Sequence, residues 1–342
     1  MNRILQVRQL EEAIKRNSVK EPVLDHVDST SRKTNGLSVQ DLISVQLLTL
    51  ADIELIFETA GALKKTPAHF SQALAAKTLA LIFEKPSLRT RVTFDVGMTS
   101  MGGNVVFLDH TQTKLGERES IKDVAKNLER WVHGIVARTY KNRSVIELAE
   151  HAGIPVINGL TNLLHPCQAL TDFFTIKEKF GQLDKIKFAF VGDGNNTCHS
   201  LLDGAAKLGV QLYIATPEGF EPDRRIVTEA EKAAKVSGAQ IHILNDPVEA
   251  VTDATIVYTD VWASMGQEAE TEDRAAVFAD YRVDSELMSY ARKDAVFMHC
   301  LPAHRGYEVD PSVIDSSQSI VYDQAENRLH VQKAILYLLM KD

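Results

Sequence analysis

Short β-rich runs alternate with helical runs along most of the 342 residues of this chain, and the fold class follows from that alternation. Two strands that are joined through a helix run parallel, and helices then cover both faces of the sheet. The sequence therefore predicts an α/β fold with mainly parallel sheets flanked by helices. The predicted strands are 78–83, 104–108, 134–138, 155–158, 187–191, 211–215, 240–244, 255–259 and 295–299.

Chain length and one helix stop divide this fold into two domains, each with a mainly parallel sheet. A single core seldom extends beyond ~250–300 residues, so a second core is expected here. The helical run 166–180 is followed by Gly181, a residue that often ends helices. We therefore predict a first domain over 38–180 and a second over 181–322. Residues 1–37 are predicted to form an extension or linker that contains a short helix over 3–16. A C-terminal helix in 323–342 is predicted to pack back on the first domain.

Charge and cysteine content exclude several classes of protein. The 38 Lys and Arg against 46 Asp and Glu give a net charge of −8, which provides no general attraction to nucleic acid or an anionic membrane. No run of the sequence approaches the ~20 apolar residues that span a bilayer. Three cysteines fit a reducing compartment, and Glu11 and Glu12 argue against a transit peptide. We expect a cytoplasmic protein that holds anionic ligands with local cations.

The segment 83–91 predicts an anion site. It follows a predicted strand and opens a predicted helix, where backbone N–H groups and the helix dipole favour a negative ligand. Ser87 and Thr90 add hydroxyl donors, and Arg89 and Arg91 add guanidinium groups that suit phosphate oxygens. No P-loop sequence occurs, so a nucleoside triphosphate is not implied. An ordinary capped helix is the alternative, and one of the two arginines is open to a structural role.

Four short segments, in chain order, resemble motifs of the aspartate/ornithine carbamoyltransferase family. Residues 87–91 look like its Ser-x-Arg-Thr-Arg motif, and 165–168 look like its His-Pro-x-Gln motif. Residues 260–266 resemble the Ser-Met-Gly loop of the ornithine branch, and 299–302 resemble the cysteine motif of that branch. The resemblance implies a carbamoyl phosphate-binding domain followed by an ornithine-binding domain. The implied enzyme needs no cofactor or metal, gives citrulline and phosphate, and serves arginine metabolism.

The resemblance also implies which residues bind carbamoyl phosphate and polarise its carbonyl group. Negative charge gathers on the carbonyl oxygen in the transition state, and preorganised donors aimed there are usually the largest catalytic contribution. Arg138 and His165, with Thr90, would supply those donors, and the amide oxygen of Gln168 would accept from the carbamoyl NH₂ group. The implied set is Ser87, Leu88, Arg89, Thr90, Lys114, Arg138, His165, Gln168, Cys300, Leu301 and Arg328.

A second implied set binds ornithine and consists of Asn196, Asp260, Ser264 and Met265. Asp260 would hold the α-ammonium group, and Ser264 and Met265 would contact the amino acid through the loop that follows. Asn196 would also bind the amino acid. A helix N-cap is the alternative role for this residue or for Asn195, which precedes it.

Cys300 is the implied catalytic cysteine, acting together with Arg138 and His165. It would lie beside the side-chain amine of ornithine and help to deprotonate or orient it. An amine with a pKa near ~10 has to lose its proton before it attacks. A covalent acyl-cysteine is not expected. Cys167 and Cys198 are expected to be inert buried side chains.

Lys114 stands where some relatives carry a glutamine. In the family, this loop reaches the site of a neighbouring subunit. The resemblance therefore implies a homotrimer, or a multiple of trimers, in which Lys114 meets the phosphate in trans.

Three other functions stay open at this point. A carbamoyltransferase for putrescine, an acylated ornithine or aspartate would share the phosphate site, but 264–266 favours free ornithine. A nicotinamide dehydrogenase would need the third glycine of Gly-x-Gly-x-x-Gly at position 197, which is Thr197. A zinc module lacks paired ligand units at the usual spacing. Its candidate ligands are His165, Cys167, His299, Cys300 and His304.

Overall fold

The computed structural model describes residues 36–263 and 268–341 and divides them into two compact units. The first unit contains 36–181 together with 325–341, and the second contains the described residues of 182–324. The predicted helix 3–16 and the predicted ornithine contacts Ser264 and Met265 lie outside the described residues.

The first unit is built on a four-stranded parallel sheet with the order β2-β1-β3-β4. The inner strands β1 and β3 are buried along almost their whole length, while the edge strand β2 is partly exposed. Strands covered on both faces consist of continuous apolar residues, as β1 and β3 do. The strands are β1 (Thr78–Phe83), β2 (Asn104–Asp109), β3 (Gly134–Arg138) and β4 (Val156–Leu160).

The helices of the first unit begin and end where local chemistry allows. Ser87 caps the second helix by accepting a hydrogen bond from the backbone of Thr90, and Pro166 occupies the first turn of the fifth. Gly181, with φ 78°, ends the fifth helix in the left-handed region. The helices are α1 (Leu50–Lys65), α2 (Leu88–Thr99), α3 (Ile121–Leu128), α4 (Asn142–His151) and α5 (Pro166–Phe180), with 3₁₀ turns at Val45–Leu47 and Pro67–Phe70.

The second unit is built on a five-stranded parallel sheet with the order β7-β6-β5-β8-β9. Its strands are β5 (Lys187–Val191), β6 (Gln211–Ala215), β7 (Gln240–Leu244), β8 (Ile256–Tyr258) and β9 (Val296–Met298). Its helices are α6 (Asn196–Leu208), α7 (Arg224–Ser237), α8 (Pro247–Val251), α9 (Thr271–Val277), α10 (Ser285–Ser289) and α11 (Pro311–Ile314), with 3₁₀ turns at Glu268–Glu270 and Ala279–Tyr281.

Each sheet contains one point where the strand order reverses. In the first unit this point lies between β1 and β3, and in the second it lies between β5 and β8. The connections that follow the two strands at such a point run to opposite faces of the sheet, so a crevice opens beyond the carboxyl ends of these strands. The chain that follows β1, β3, β5 and β8 is therefore the place to look for ligand sites.

The last helix, α12 (Val321–Met340), begins in the second unit, and from residue 325 onward it belongs to the first. The predicted two-domain α/β fold with a C-terminal helix on the first domain is confirmed. This helix begins at Val321, two residues before the predicted C-terminal segment 323–342, and strands β8 and β9 are shorter than predicted. Among the residues described, none of the helices combines the length and hydropathy needed to cross a membrane.

Candidate active site

The turn after β1 contains the first residues of the predicted anion site of the first unit. Ser87 Oγ accepts from the backbone N–H of Thr90 at 3.2 Å, which fixes the first turn of α2. The Arg91 guanidinium stacks over the Phe107 ring, 3.8 Å from its centroid. Arg91 thus has a structural contact with the edge strand. The structural role that the sequence left open falls to Arg91, while Arg89, two residues earlier, leaves the helix in a different direction.

Arg328, from α12, joins the turn to the central helix α5. This side chain is only 3% exposed, and its guanidinium donates to Thr90 Oγ1 at 2.8 Å and to Gln168 Oε1 at 2.9 Å. The Gln168 side-chain NH₂ in turn donates to Asp172 at 2.8 Å. The oxygen predicted to accept from a carbamoyl NH₂ group therefore already accepts one hydrogen bond, and its second lone pair can accept another.

His165 lies immediately before α5 and is 4% exposed. Burial lowers the pKa of its ring well below the usual 6.5, and the nearby Arg328, Arg138 and Lys85 lower it further. Because burial and positive neighbours both oppose a charged ring, His165 is neutral at physiological pH. A neutral imidazole has one N–H to donate, which is what a developing oxyanion requires.

Lys85 and Glu84 are buried residues of this site that the sequence reasoning did not single out. The Lys85 ammonium donates to Asn162 Oδ1 and lies 4.6 Å from the centroid of the Tyr140 ring. A lysine held at 2% exposure beside predicted phosphate ligands adds positive potential to the site. The only available signal was its place two residues before Ser87 in the motif.

Lys114 lies in the exposed loop after β2. Its ammonium is 5.1 Å from the centroid of the same Tyr140 ring, and its backbone N–H donates to Glu117 at 3.0 Å. Six of the predicted ligands in the first unit lie near the β1/β3 switch point: Ser87, Thr90, Arg138, His165, Gln168 and Arg328. The Leu88 side chain, by contrast, is 73% exposed.

The predicted amino-acid site of the second unit is organised around Asp260, which follows β8 and is 6% exposed. Its two carboxylate oxygens accept from different partners: Oδ1 from the Cys300 thiol at 3.0 Å and Oδ2 from the Asn195 side chain at 3.0 Å. Asn195 is also the N-cap of α6, where it accepts from the backbone of Thr197 and Cys198. Asn195 therefore takes the capping role, and Asn196, 7% exposed, begins the helix.

The turn after β9 holds Cys300 in place. His299, fully buried, accepts from the Leu301 backbone N–H through Nδ1 at 2.8 Å, and its Nε2 faces Glu308 at 3.3 Å. The Leu301–Pro302 peptide bond is cis. Because both nitrogens of His299 are engaged, the ring acts as a brace for the residues on either side of Cys300.

The other two cysteines are fully buried. Burial raises the pKa of the Cys167 thiol to about 12 and raises that of Cys198 well above its usual value. Both thiols stay protonated at neutral pH and are poor nucleophiles, as expected of structural cysteines.

Arg274, in α9, joins three parts of the second unit. Its guanidinium donates to Asp193 at 2.9 Å, to the Trp262 carbonyl at 2.8 Å and to Glu270 at 2.9 Å. Burial, partly offset by Arg274, raises the pKa of Asp193 to about 6. This arginine ties Trp262 and Glu270 to the turn after β5, and no motif in the sequence indicated it.

Asp260, His299 and Cys300 also place ligand atoms within 4.8 Å of one another, the spacing of a possible metal site. Both ring nitrogens of His299 are committed to the protein, as described above. Metal binding there would require His299 to give up a hydrogen bond.

Comparison with known proteins gives matches over both units. The model described as "Aspartate/ornithine carbamoyltransferase, carbamoyl-P binding domain" matches residues 40–178, and the "Asp/Orn binding domain" of the same family matches 184–339. The chain is 49% identical over 307 residues to "Ornithine carbamoyltransferase, anabolic" of Pyrococcus furiosus, covering 89% of this chain and 98% of that one.

A protein named "Ornithine carbamoyltransferase, catabolic" of Halobacterium salinarum is 47% identical over 302 residues, covering 88% of this chain and 99% of the relative. A solved ornithine carbamoyltransferase structure from Pyrococcus furiosus superposes with a TM-score of 0.85 at 50% identity. That superposition covers 88% of this chain and 96% of the other.

Proposed function

The chain belongs to the aspartate/ornithine carbamoyltransferase family, and we propose that it transfers the carbamoyl group of carbamoyl phosphate to the side-chain amine of L-ornithine. It is a carbamoyltransferase, and the proposed products are L-citrulline and phosphate. The observation that carries this proposal is the Arg328 bridge between Thr90 and Gln168, which gathers three predicted carbamoyl phosphate ligands at the β1/β3 switch point.

The first unit supplies the groups that would activate carbamoyl phosphate. We propose that Ser87, Arg89 and the N–H groups of the first turn of α2 bind the phosphate. Arg138, the neutral His165 and Thr90 would donate to the carbonyl oxygen as it gains negative charge. These donors are largely buried, where electrostatic interactions are stronger than in water.

The second unit supplies the groups that would present the amine. We propose that Asp260 binds the α-ammonium group and that Cys300 lies beside the side-chain amine, with Asn196 contacting the amino acid. The neutral amine attacks the carbamoyl carbon, the bond from that carbon to the phosphate oxygen breaks, and phosphate leaves with the electron pair. The proton lost by the amine nitrogen goes to a neighbouring base or to the departing phosphate.

The test is formation of the ureido product from carbamoyl phosphate with ornithine, putrescine, N-acetylornithine and aspartate in parallel, with and without EDTA. We expect the highest kcat/KM with ornithine and no loss of activity in EDTA. A higher kcat/KM with putrescine than with ornithine would show that putrescine is the amine substrate. Purified protein that shows no heat of binding and no thermal protection with carbamoyl phosphate would overturn the whole proposal.

We propose that the enzyme assembles as a homotrimer through the first unit. Leu88, Val92 and Val96 lie four residues apart on α2 and are 73%, 48% and 45% exposed, so they form an apolar ridge. A cavity of about 630 Å³ elsewhere on the unit is lined by Val106 and the 69%-exposed Trp131. A ridge that fits a different surface of the next copy would make a head-to-tail contact, and a rotation of one third of a turn between copies closes such contacts into a trimer.

Light scattering on the intact protein tests the trimer, with an expected mass three times the 38.0 kDa of one chain. Trp131→Glu should yield monomers. Mixing inactive Arg89→Ala chains with inactive Lys114→Ala chains should restore part of the activity if Lys114 serves a neighbouring site. No restoration in proven hybrids would count against action in trans.

Relatives of nearly equal identity are named anabolic and catabolic, so we propose a role in arginine metabolism without assigning it to one direction. The three free cysteines support a cytoplasmic location for this role.

A further inference from the structure

A buried carboxylate connects three strand ends of the first unit. Glu84, the residue after β1, is 4% exposed. Its Oε1 accepts from the Leu115 backbone N–H and its Oε2 accepts from the Tyr140 backbone N–H, both at 2.8 Å. Its own backbone N–H donates to the Arg138 carbonyl, also at 2.8 Å. One residue thus joins the connections that follow β1, β2 and β3.

Two of these contacts fall next to residues that the proposed function needs. Leu115 follows Lys114 directly, and Tyr140 lies two residues after Arg138. The Tyr140 ring also lies beneath two cations, since the Lys85 and Lys114 ammonium groups are 4.6 Å and 5.1 Å from its centroid. The Glu84 carboxylate therefore fixes the backbone beside Lys114, beside Arg138 and under the shared ring.

From this geometry we infer that Glu84 is a positioning residue of the carbamoyl phosphate site, acting through Arg138 and Lys114 without touching substrate. The inference rests on the proposed function and adds a residue to it. Charge-assisted hydrogen bonds from backbone N–H groups to a buried carboxylate are short and strong. A loop held by two such bonds keeps its neighbours within the narrow tolerance that catalysis requires.

Glu84→Gln is the informative variant because it preserves shape and removes one acceptor. The amide oxygen can accept from one backbone N–H, but the amide NH₂ group then faces the other N–H donor. One of the two loops must shift. We expect kcat/KM for carbamoyl phosphate to fall on the order of a hundredfold, the loss typical of a misplacement of about 1 Å. The KM for ornithine at saturating carbamoyl phosphate should stay unchanged.

Asp52→Asn is the matched control. Asp52 is also buried, at 3% exposure, and accepts from two backbone N–H groups, those of Ser38 at 2.7 Å and Thr49 at 2.8 Å. Those contacts cap α1 and involve none of the proposed ligands. The control should lose stability, as a merely structural carboxylate does, and should retain its KM for carbamoyl phosphate.

A double-mutant cycle with Lys114→Gln tests whether Glu84 affects catalysis through Lys114. If Glu84 acts partly through Lys114, the loss caused by Glu84→Gln should be smaller in the Lys114→Gln background than in the wild type. Should Glu84→Gln fail to fold, Glu84→Asp serves the same comparison. It keeps the charge, but one methylene less prevents it from reaching both amides, so its kcat/KM for carbamoyl phosphate should lie between those of the wild type and Glu84→Gln.

Two results would overturn the inference: a Glu84→Gln enzyme with the wild-type kcat/KM for carbamoyl phosphate, or equal kinetic losses in Glu84→Gln and Asp52→Asn. Failure of the proposed function looks different, because then the wild-type protein itself forms no citrulline.

Discussion

Acidification tests the buried state of His165 directly. Below its usual pKa of 6.5 the ring takes up a proton in the unfolded chain, whereas burial and three nearby cations keep it neutral in the folded protein. The unfolded state then binds more protons, so the free energy of unfolding falls as pH decreases from 6.5 toward the lowered pKa. The contribution of the neutral His165 ring to the free energy of unfolding is complete above pH 6.5 and is lost progressively below pH 6.5.

The magnitude follows from one proton. Each unit of pH between the two pKa values changes the free energy of unfolding by at most ~1.36 kcal/mol. At pH 5.5, one unit below the usual value, the loss reaches about 1.4 kcal/mol. A loss of this size is a large fraction of the ~5–15 kcal/mol by which proteins are stable, so it is measurable.

The assay is urea unfolding of the ligand-free protein at pH 7.5 and 5.5, for the wild type and for His165→Gln. Asp41 and Asp193, whose pKa values are raised to about 7 and about 6, stabilise the fold as pH falls and so oppose the effect of His165. Both carboxyls are present in both proteins, so the difference between the two curves isolates the histidine. His69→Gln, at an exposed site, is the control and should follow the wild type.

We expect the wild type to lose about 1.4 kcal/mol more than His165→Gln between the two pH values. Identical pH dependence in the two proteins would show that His165 is as easily protonated in the fold as in the unfolded chain. His165 would then not be held neutral by the fold, and it could not be assigned as a neutral donor to the carbamoyl oxygen.

Three further substitutions separate the proposed roles. Arg328→Lys keeps the charge but loses the fork that joins Thr90 to Gln168, and kcat/KM for carbamoyl phosphate should fall about 10²–10³-fold in steady-state assays. Arg274→Met leaves Asp193 buried without its partner and should cost about 3 kcal/mol of unfolding free energy at pH 7.5. The cost should be smaller at pH 5, where that carboxyl is protonated; equal costs would contradict this account. Cys300→Ala should lower kcat about 10²-fold while carbamoyl phosphate still binds, whereas an acyl-cysteine mechanism predicts a pre-steady-state burst in the wild type.

Much of the fold could be predicted because its signals are local. Buried parallel strands such as β1 and β3 are continuous apolar runs, and Ser87 and Gly181 mark helix ends through their own chemistry. The shortened strands β8 and β9 show the limit of this reasoning. Their ends depend on which neighbouring backbone is available for pairing, and a single strand does not encode that.

The site could be predicted only where a motif carries its residues together. Arg89 and Arg91 are indistinguishable in sequence, and only the Phe107 ring on the neighbouring strand shows that Arg91 is structural. Glu84 and Arg274 were missed for the same reason. Their partners are backbone groups and side chains far along the chain, so their roles arise from tertiary packing rather than from spacing.

The pKa of His165 also links ligand binding to stability in a way that can be measured. Arg328, Arg138 and Lys85 all lower this pKa, which means that their combined field reaches the ring. A phosphate anion bound among them would offset that field, since opposite charges favour the protonated ring. The wild type loses more unfolding free energy on acidification than His165→Gln does, and saturating phosphate should therefore reduce this difference. The difference should not vanish, because burial lowers the His165 pKa more than the cations do. Unfolding curves at pH 5.5 with phosphate or with chloride at equal ionic strength provide the comparison. An unchanged difference would mean that phosphate binds elsewhere than beside His165.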